Sequence, residues 1–205
     1  WGVSVASQDL YERINFTNAI FRQRRMQGGS STIIRQLNVR IIRKVPVATY
    51  PFLDYFKGFE KVEAVRRIFG DETEERLSKL RVEFIGRRGY MGVSEIDGHL
   101  IVSADYLGKG NRTDIYLDIV HELVHVKQFI EGKELFDHNF EYVERPTEIE
   151  AYRVAVEEAK RLGLSRKRIC QYLKTEWMTD EEFRRLLKAV NVECAPATRE
   201  ERGIA

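Results

Sequence analysis

The sequence is poor in the residues that characterise fibrous, disordered or disulfide-rich chains. Among 205 residues there are 4 prolines, 14 glycines and 2 cysteines. So few prolines and glycines exclude a collagen-like or low-complexity chain. No apolar run approaches the roughly 20 residues that a membrane-spanning helix needs, so no membrane span is expected. With 43% hydrophobic residues, the chain is large enough for one globular core and a small extension.

The sequence also lacks a dominant charge. The 34 lysines and arginines nearly balance the 32 aspartates and glutamates, which leaves a formal net charge of +2. Without a strongly positive field, no nucleic-acid partner is expected. The charge is uneven, however, because residues 1–45 carry eight basic and two acidic side chains, or 8 − 2 = +6. This basic block is either a solvated face that pairs with the acidic residues 71–75 or a docking surface for an acidic partner.

The two cysteines, Cys170 and Cys194, are far apart in the sequence and form no C-x-x-C pair. We therefore expect two reduced thiols, with neither a disulfide nor a thiolate metal site. No charged and then apolar leader opens the chain, which begins at Trp1 rather than Met. These features favour a fragment of a longer protein and a cytoplasmic location.

The spacing of apolar residues divides the chain into helical and extended parts. It is three or four over residues 7–80, which predicts helices, and changes to two from Arg81, which predicts strands. The Asp97-Gly98 turn predicts a hairpin of residues 90–95 and 99–106, with the second strand at the edge. Helical spacing returns after Asn111 and continues to about residue 190. The predicted fold class is α+β, with a helical region 1–78, a core 79–163 and a helical extension 164–205.

One motif in the core has the pattern H-E-x-x-H, namely His121-Glu122-Leu123-Val124-His125. On a helix, histidines four residues apart lie on one face, where both imidazoles can bind one Zn²⁺. Glu122 lies about 100° around the helix from His121, within reach of a water on the same metal ion. The motif therefore predicts a zinc site in which Glu122 is the general base.

The surrounding residues predict a helix over 113–130 that is buried on nearly every side. Its apolar stripe consists of Ile115, Ile119, Leu123, Val126 and Ile130. Its single polar seam consists of Asp114, Asp118, His121, His125 and Gln128. A buried polar group without a partner costs roughly 1–3 kcal/mol, so this seam needs partners, and a metal ion supplies them. The alternative is a pair of core histidines satisfied by hydrogen bonds.

A catalytic zinc ion commonly has three protein ligands and one water, so a third ligand is needed. Pro146 opens a second helix whose first turns contain Glu148 and Glu150. On a helical wheel Glu148 falls on the buried face around Ala151, whereas Glu150 faces solvent. Because a buried carboxylate must be paired or bound to metal, we predict Glu148 as the third ligand, with Glu150 as the alternative.

Other polar residues near these helices are candidates for catalysis. Tyr152, one turn after Glu148, is predicted to donate its phenol to an oxyanion, the alternative being a buried tyrosine with a surface hydroxyl. Tyr142 and His138, in the loop between the two helices, are further candidates. Asp118 is placed either to orient an imidazole or to pair with an arginine.

The two helical segments resemble the zincin metallopeptidases, specifically the glutamate zincins, or gluzincins. His-Glu-Leu-Val-His is followed by Glu-Ile-Glu-Ala-Tyr-Arg-Val-Ala, which resembles the E-x-x-A-x-x-x-A helix of ImmA/IrrE-like proteins and places Glu148 in the ligand position. Val124 stands where that group has glycine, so an SprT-like relative is the alternative. The resemblance covers residues 81–162. It implies a minimal zincin fold with a small sheet, Zn²⁺ as cofactor and peptide bonds as substrate.

A second resemblance lies in residues 27–37. The segment Gln-Gly-Gly-Ser-Ser-Thr-Ile-Ile-Arg-Gln-Leu is similar to part of the peptidoglycan glycosyltransferase domain of class A penicillin-binding proteins. The E-D-x-x-F catalytic acid of that family is not found before it. We interpret the segment as a helix-opening turn with Ser/Thr capping, the alternative being a relic or an accessory link to the cell wall.

Two functional hypotheses follow. The first is a zinc metallopeptidase, a hydrolase in which Glu122 activates a metal-bound water and the hairpin 96–106 binds a peptide or protein substrate by edge addition. The alternative is a non-catalytic or regulatory zincin-like module with a structural or vestigial metal site, whose helical terminal regions bind the partner. Among these, residues 165–190 predict two amphipathic helices, the second opened by a capping box of Thr179 and Glu182.

Overall fold

The computed structural model describes residues 38–194. The segment 27–37 and most of the basic block lie outside the described residues. The fold is α+β, as predicted, with a small mixed sheet and a larger helical part. Within residues 38–194, every helix is too short or too polar to cross a bilayer.

The described chain contains six strands. They are β1 (Arg40–Ile41), β2 (Thr49–Pro51), β3 (Phe56–Lys57), β4 (Arg81–Ile85), β5 (Met91–Val93) and β6 (Leu100–Ser103). The main sheet has four of them, in the order β2, β4, β6, β5. Strands β2 and β4 are antiparallel, β4 and β6 are parallel, and β6 and β5 are antiparallel. Strands β1 and β3 form a separate antiparallel pair.

The helices lie before, between and after these strands. They are α1 (Phe52–Tyr55), α2 (Glu63–Phe69), α3 (Thr73–Lys79), α4 (Ala104–Lys109), α5 (Arg112–Ile130), α6 (Pro146–Arg161), α7 (Arg166–Leu173) and α8 (Asp180–Ala189). Short 3-10 turns occupy Phe59–Lys61, Gly70–Glu72 and Tyr142–Glu144. Helix α5 packs against β5, α2 and α6, which explains why it is buried on nearly every side.

The predicted helical character of residues 7–80 is wrong in part. Strands β1, β2 and β3 lie within that range, and β2 pairs with β4 on the far side of the predicted boundary at residue 79. Strands of two or three residues are too short to produce a period of two in the sequence. The division into three regions stays a prediction.

The predicted hairpin exists, but two of its features differ. Its second strand ends at Ser103, because Ser103 caps helix α4 by accepting a hydrogen bond from the Tyr106 backbone N–H. That strand, β6, lies inside the sheet between β4 and β5, so the prediction of an edge strand there is wrong. The strand at this edge of the sheet is β5.

An aromatic cluster joins the N-terminal part of the described chain to the core. Phe52, Phe56 and Phe59 are fully buried and contact one another, and they also contact Phe84 on β4 and Tyr116 on α5. Each buried phenylalanine contributes roughly 1.5–3 kcal/mol to folding. The cluster therefore fixes α5 against the sheet and helps to set the position of its histidines.

Helices α5 and α6 run antiparallel and are joined near one end by a buried hydrogen-bond network. The Tyr116 hydroxyl donates to Glu158 over 2.6 Å, and Arg161 donates to both carboxylate oxygens of Glu158, over 2.6 and 2.8 Å. Since Glu158 is almost fully buried, this network satisfies a charge that would otherwise be costly. We call these three residues the Tyr116 network.

The C-terminal extension contains the two predicted helices, α7 and α8, and the predicted capping box of Thr179 and Glu182 is confirmed. The prediction of two reduced thiols is wrong, because Cys170 and Cys194 form a disulfide. After α8 the chain turns back and buries Val192, which brings the two cysteines within 5.9 Å between Cα atoms. The spacing of the two cysteines in the sequence does not show that the chain folds back in this way, so the disulfide could not be predicted from it.

Replacing both cysteines by serine is expected to lower the free energy of unfolding by about 2–4 kcal/mol, because the disulfide closes a loop across a separation of 24 residues. Urea denaturation followed by circular dichroism measures the change. Dithiothreitol should destabilise the wild type to the same extent and leave the double variant unchanged. Two free thiols in the denatured, unreduced wild type would contradict the disulfide.

Candidate metal centre

Helix α5 begins and continues as its sequence predicts. The Asn111 side chain caps it by accepting hydrogen bonds from the backbone N–H groups of Thr113 and Asp114. Asp114 is then buried in an ion pair with Arg168 of α7. The predicted apolar stripe and polar seam are buried, except that Asp118 is half-buried and Ile130 in the last turn is 44% exposed.

Three side chains of this seam and of α6 converge on one point. The Nε2 atoms of His121 and His125 are 3.0 Å apart. Glu148 Oε2 lies 3.3 Å from His121 Nε2 and 3.5 Å from His125 Nε2. All three side chains are buried, and their donor atoms can surround one metal ion.

The spacing of the three donor atoms suits a shared metal ion better than direct hydrogen bonds among the three side chains. Glu148 Oε2 is buried and makes no hydrogen bond within residues 38–194, a state that ordinarily costs about 1–3 kcal/mol. A tetrahedral zinc ion with bonds of about 2.0–2.1 Å has its ligand atoms about 3.3–3.4 Å apart. The three separations, 3.0, 3.3 and 3.5 Å, lie around that value.

Glu148 and Glu150 have different surroundings. The Glu148 side chain is 6% exposed and faces the two histidines. The Glu150 side chain is 43% exposed and accepts hydrogen bonds from Lys133 Nζ and Gln128 Nε2. Of the two candidates for third ligand, the structure brings Glu148 to the histidines.

Gln128 is one of the two seam residues, with Asp114, to which sequence reasoning assigned no role. Its side chain is fully buried. His125 Nδ1–H donates to Gln128 Oε1 over 2.7 Å, and Gln128 Nε2 donates to the Thr147 carbonyl and to Glu150 over 3.0 and 2.9 Å. The position of Gln128 three residues after His125, on the same helical face, was the available signal.

The electrostatics of the three convergent residues favour a cation. Burial raises the pKa of Glu148, but the neighbouring His125 and His121 lower it further, so the net direction is downward. Burial lowers the pKa of His125, but the Glu148 carboxylate outweighs it and raises that pKa to about 9. For His121 burial prevails and its pKa is lowered. In the metal-free protein Glu148 is thus an anion near neutral pH beside a protonated His125. A metal ion bound at this point would take the place of that proton.

Glu122 follows His121 and is buried beside the same point. Burial raises the pKa of its carboxyl to about 8, with opposing contributions from His125, which lowers it, and Glu148, which raises it. In the metal-free protein this carboxyl therefore takes up and releases protons close to neutral pH, which suits a general base.

A cleft of about 600 Å³ opens above these residues. Its floor includes Asp118, His121, Glu122, His125 and Glu148. One wall is formed by β5 and neighbouring residues of the sheet, and the opposite wall by Tyr142, Arg145, Tyr152, Tyr172, Thr175, Trp177 and Glu182. Four of the latter, Tyr172, Thr175, Trp177 and Glu182, lie within the loop that the disulfide closes. Sequence reasoning did not find this contribution of the C-terminal extension.

The predicted catalytic tyrosine lies in the cleft. The Tyr152 ring contacts His121 at 4.4 Å between centroids, and its hydroxyl lies 3.1 Å from that of Tyr142. Burial raises the pKa of Tyr152, with the Glu148 charge adding to this effect, and burial also raises that of Tyr142. His138 is exposed and is not among the cleft-lining residues.

Asp118 lines the cleft, and the Tyr106 hydroxyl donates to its Oδ2 atom. His121 Nδ1 has no hydrogen-bond partner in the described part of the chain, so Asp118 does not orient the imidazole of His121 through that atom. The alternative role of Asp118, pairing with an arginine, stays a prediction. The neighbour that orients an imidazole is Gln128, at His125.

Comparison of the chain with protein-family models, with curated proteins and with solved structures finds no match. The function of the protein is therefore inferred from the residues of the site itself.

Replacing Glu148 by glutamine is expected to weaken Zn²⁺ binding by more than about 100-fold, because a ligand is lost. Losing a residue that only supports a ligand lowers metal affinity by roughly 10–100-fold. Glu150→Gln keeps an acceptor oxygen for Gln128 and should stay within about threefold of wild type. Competition with a chromogenic zinc chelator measures both affinities. Equal losses in the two variants would refute the assignment of Glu148.

Proposed function

We propose that the protein is a zinc-dependent metallopeptidase that hydrolyses peptide bonds. The observation that carries the proposal is the convergence of His121, His125 and Glu148 at the floor of an open cleft, with Glu122 buried beside them. The resemblance of the two helical segments to the gluzincins supports the same conclusion. An open cleft favours catalysis, because structural zinc sites are closed by four protein ligands.

The zinc ion would be held by the Nε2 atoms of His121 and His125 and by the Glu148 carboxylate. When bound, it supplies a water of lowered pKa, near about 7, and polarises a carbonyl oxygen. The remaining chemistry belongs to the side chains of the cleft.

Glu122 is the proton carrier in this proposal. Its carboxylate accepts the proton of the attacking water and returns it to the amine that leaves when the peptide bond breaks. Glu122 and His121 line the same cleft, so the base would lie beside a water bound to a metal ion held by His121. Burial excludes bulk water, which strengthens the electrostatic interactions there.

Tyr152 is the proposed oxyanion donor. Because burial raises the pKa of its phenol, the hydroxyl stays protonated and can donate to the developing negative charge on the carbonyl oxygen. The neighbouring Tyr142 hydroxyl, 3.1 Å away, holds the phenol of Tyr152 in place.

The substrate is proposed to be an extended peptide or a segment of a protein. Strand β5 lies at the edge of the sheet and lines the cleft. A peptide can add to such an edge through main-chain hydrogen bonds, with its side chains directed alternately towards and away from the cleft. The edge is β5, and not the predicted second strand of the hairpin.

The disulfide favours an oxidising compartment as the place where the enzyme works, since structural disulfides are rare in the reducing cytosol. This part of the proposal departs from the cytoplasmic location that the sequence favoured. It rests on the Cys170–Cys194 bond alone.

Replacing Glu122 by glutamine is expected to reduce kcat for peptide hydrolysis by about 10²–10⁴-fold, because the variant has no carboxylate to accept a proton. Zinc content should stay near one equivalent. A quenched fluorescent peptide library provides the assay, with metal analysis of the same sample. The matched control is Glu134→Gln, which changes an exposed glutamate outside the cleft.

Unchanged turnover in Glu122→Gln would remove Glu122 from the mechanism. If wild type hydrolyses nothing and unfolds when a chelator removes its zinc, the site is structural and the non-catalytic alternative applies.

Tyr152→Phe is expected to lower kcat by about 10²–10³-fold with little change in KM, because one oxyanion donor is lost. Tyr142→Phe, which removes only the neighbouring hydroxyl, should cost less than about tenfold. Steady-state kinetics on one cleaved peptide separate the two cases. A larger loss in Tyr142→Phe would assign the donor role to Tyr142 instead.

A further inference from the structure

Gln128 connects two of the proposed metal ligands, although it contacts neither the cleft nor the point where the donor atoms meet. It is fully buried near the end of α5. Its amide reaches His125 on its own helix and the first turn of α6, which carries Glu148. The Tyr116 network joins the same two helices near their other ends.

The orientation of the Gln128 amide is fixed by its partners. The Thr147 carbonyl and the Glu150 carboxylate both accept hydrogen bonds, so the amide nitrogen must face them. The amide oxygen therefore faces His125 Nδ1, 2.7 Å away. Because an amide oxygen only accepts, Nδ1 must carry the proton.

A proton on Nδ1 has a direct consequence for metal binding. In a neutral imidazole with Nδ1 protonated, the lone pair is on Nε2. His125 Nε2 is the atom that lies 3.0 Å from His121 Nε2 and 3.5 Å from Glu148 Oε2. Gln128 thus selects the tautomer that directs a lone pair to the meeting point.

The same amide holds the helix that carries Glu148. Its nitrogen donates to the carbonyl of Thr147, the residue immediately before Glu148, over 3.0 Å. A second contact, 2.9 Å to Glu150 Oε2, holds the same turn two residues after Glu148. The backbone on both sides of the carboxylate ligand is therefore tied to the helix of the histidines.

We propose that Gln128 is a positioning residue of the metal centre, which fixes the tautomer of His125 and the place of Glu148 through one buried amide. This inference rests on the proposed function, since it presupposes zinc at the three convergent residues. It assigns to Gln128 a part in zinc affinity that is separate from its part in stability.

The test compares Gln128→Met with Tyr116→Phe. Methionine keeps the length of the side chain and removes all three hydrogen bonds, so the zinc dissociation constant should rise about 10–100-fold. Tyr116→Phe breaks a buried contact between the same two helices. Along α5, Tyr116 lies 12 residues, or about 18 Å, before Gln128. It should lower stability but change zinc affinity by less than about threefold. Chelator competition gives the affinities, and urea denaturation of the chelated proteins gives the stabilities.

A charge-conserving exchange covers the case in which Gln128→Met does not fold. Gln128→Glu alone places a carboxylate against Glu150 and should weaken zinc binding. Combining it with Glu150→Gln restores a donor opposite the new carboxylate and keeps an acceptor for His125 Nδ1–H. The double exchange should bind zinc at least about fivefold more tightly than Gln128→Glu alone; no difference between them would count against the inference.

The outcomes separate the inference from the proposed function. If wild type binds no zinc, the proposed metal centre fails and the inference fails with it. If wild type binds zinc and Gln128→Met binds it as tightly as Tyr116→Phe, the metal centre stands and Gln128 is merely structural. A selective loss in Gln128→Met supports the positioning role.

Discussion

The central constraint in this protein is a buried carboxylate placed against two buried imidazoles. Glu148 Oε2 lies within 3.5 Å of both Nε2 atoms yet makes no hydrogen bond within the described chain. Folding that brings these groups together without a cation leaves polar atoms unsatisfied in a region of low dielectric constant. A shared divalent ion would remove this cost. The proposed metal centre accounts in this way for the polar seam of α5, for Glu148 in the first turn of α6 and for the polar residues that line the cleft.

The rest of the structure explains how two helices bring three donor atoms together. The aromatic cluster fixes α5 against the sheet, and the Tyr116 network stabilises the pairing of α5 with α6 near the start of α5. Near the other end Gln128 joins the two helices again, next to the proposed ligands. Of these two attachments only the Gln128 amide contacts a proposed ligand, His125. Metal sites generally depend on such contacts beyond the ligands themselves.

Much of the fold and the composition of the site could be predicted from the sequence, because both follow from local periodicity. The α5 seam and the inward direction of Glu148 are properties of single helices, which a helical wheel describes. The edge position of β5, the pairing of β2 with β4 and the disulfide depend on contacts distant in sequence, and no local pattern reports them. The contacts of Gln128 with Thr147 and Glu150 were missed for the same reason, since both partners belong to another helix. Its contact with His125, on the same helix, was the part that the sequence could have shown.

The proposed metal centre can be checked in a crystal structure of the zinc-loaded protein, with anomalous scattering recorded at the zinc absorption edge. We expect one strong anomalous peak within about 2.0–2.2 Å of His121 Nε2, His125 Nε2 and a Glu148 oxygen, with a further coordination position open to the cleft. A peak elsewhere, or a full set of four protein ligands at this point, would contradict it.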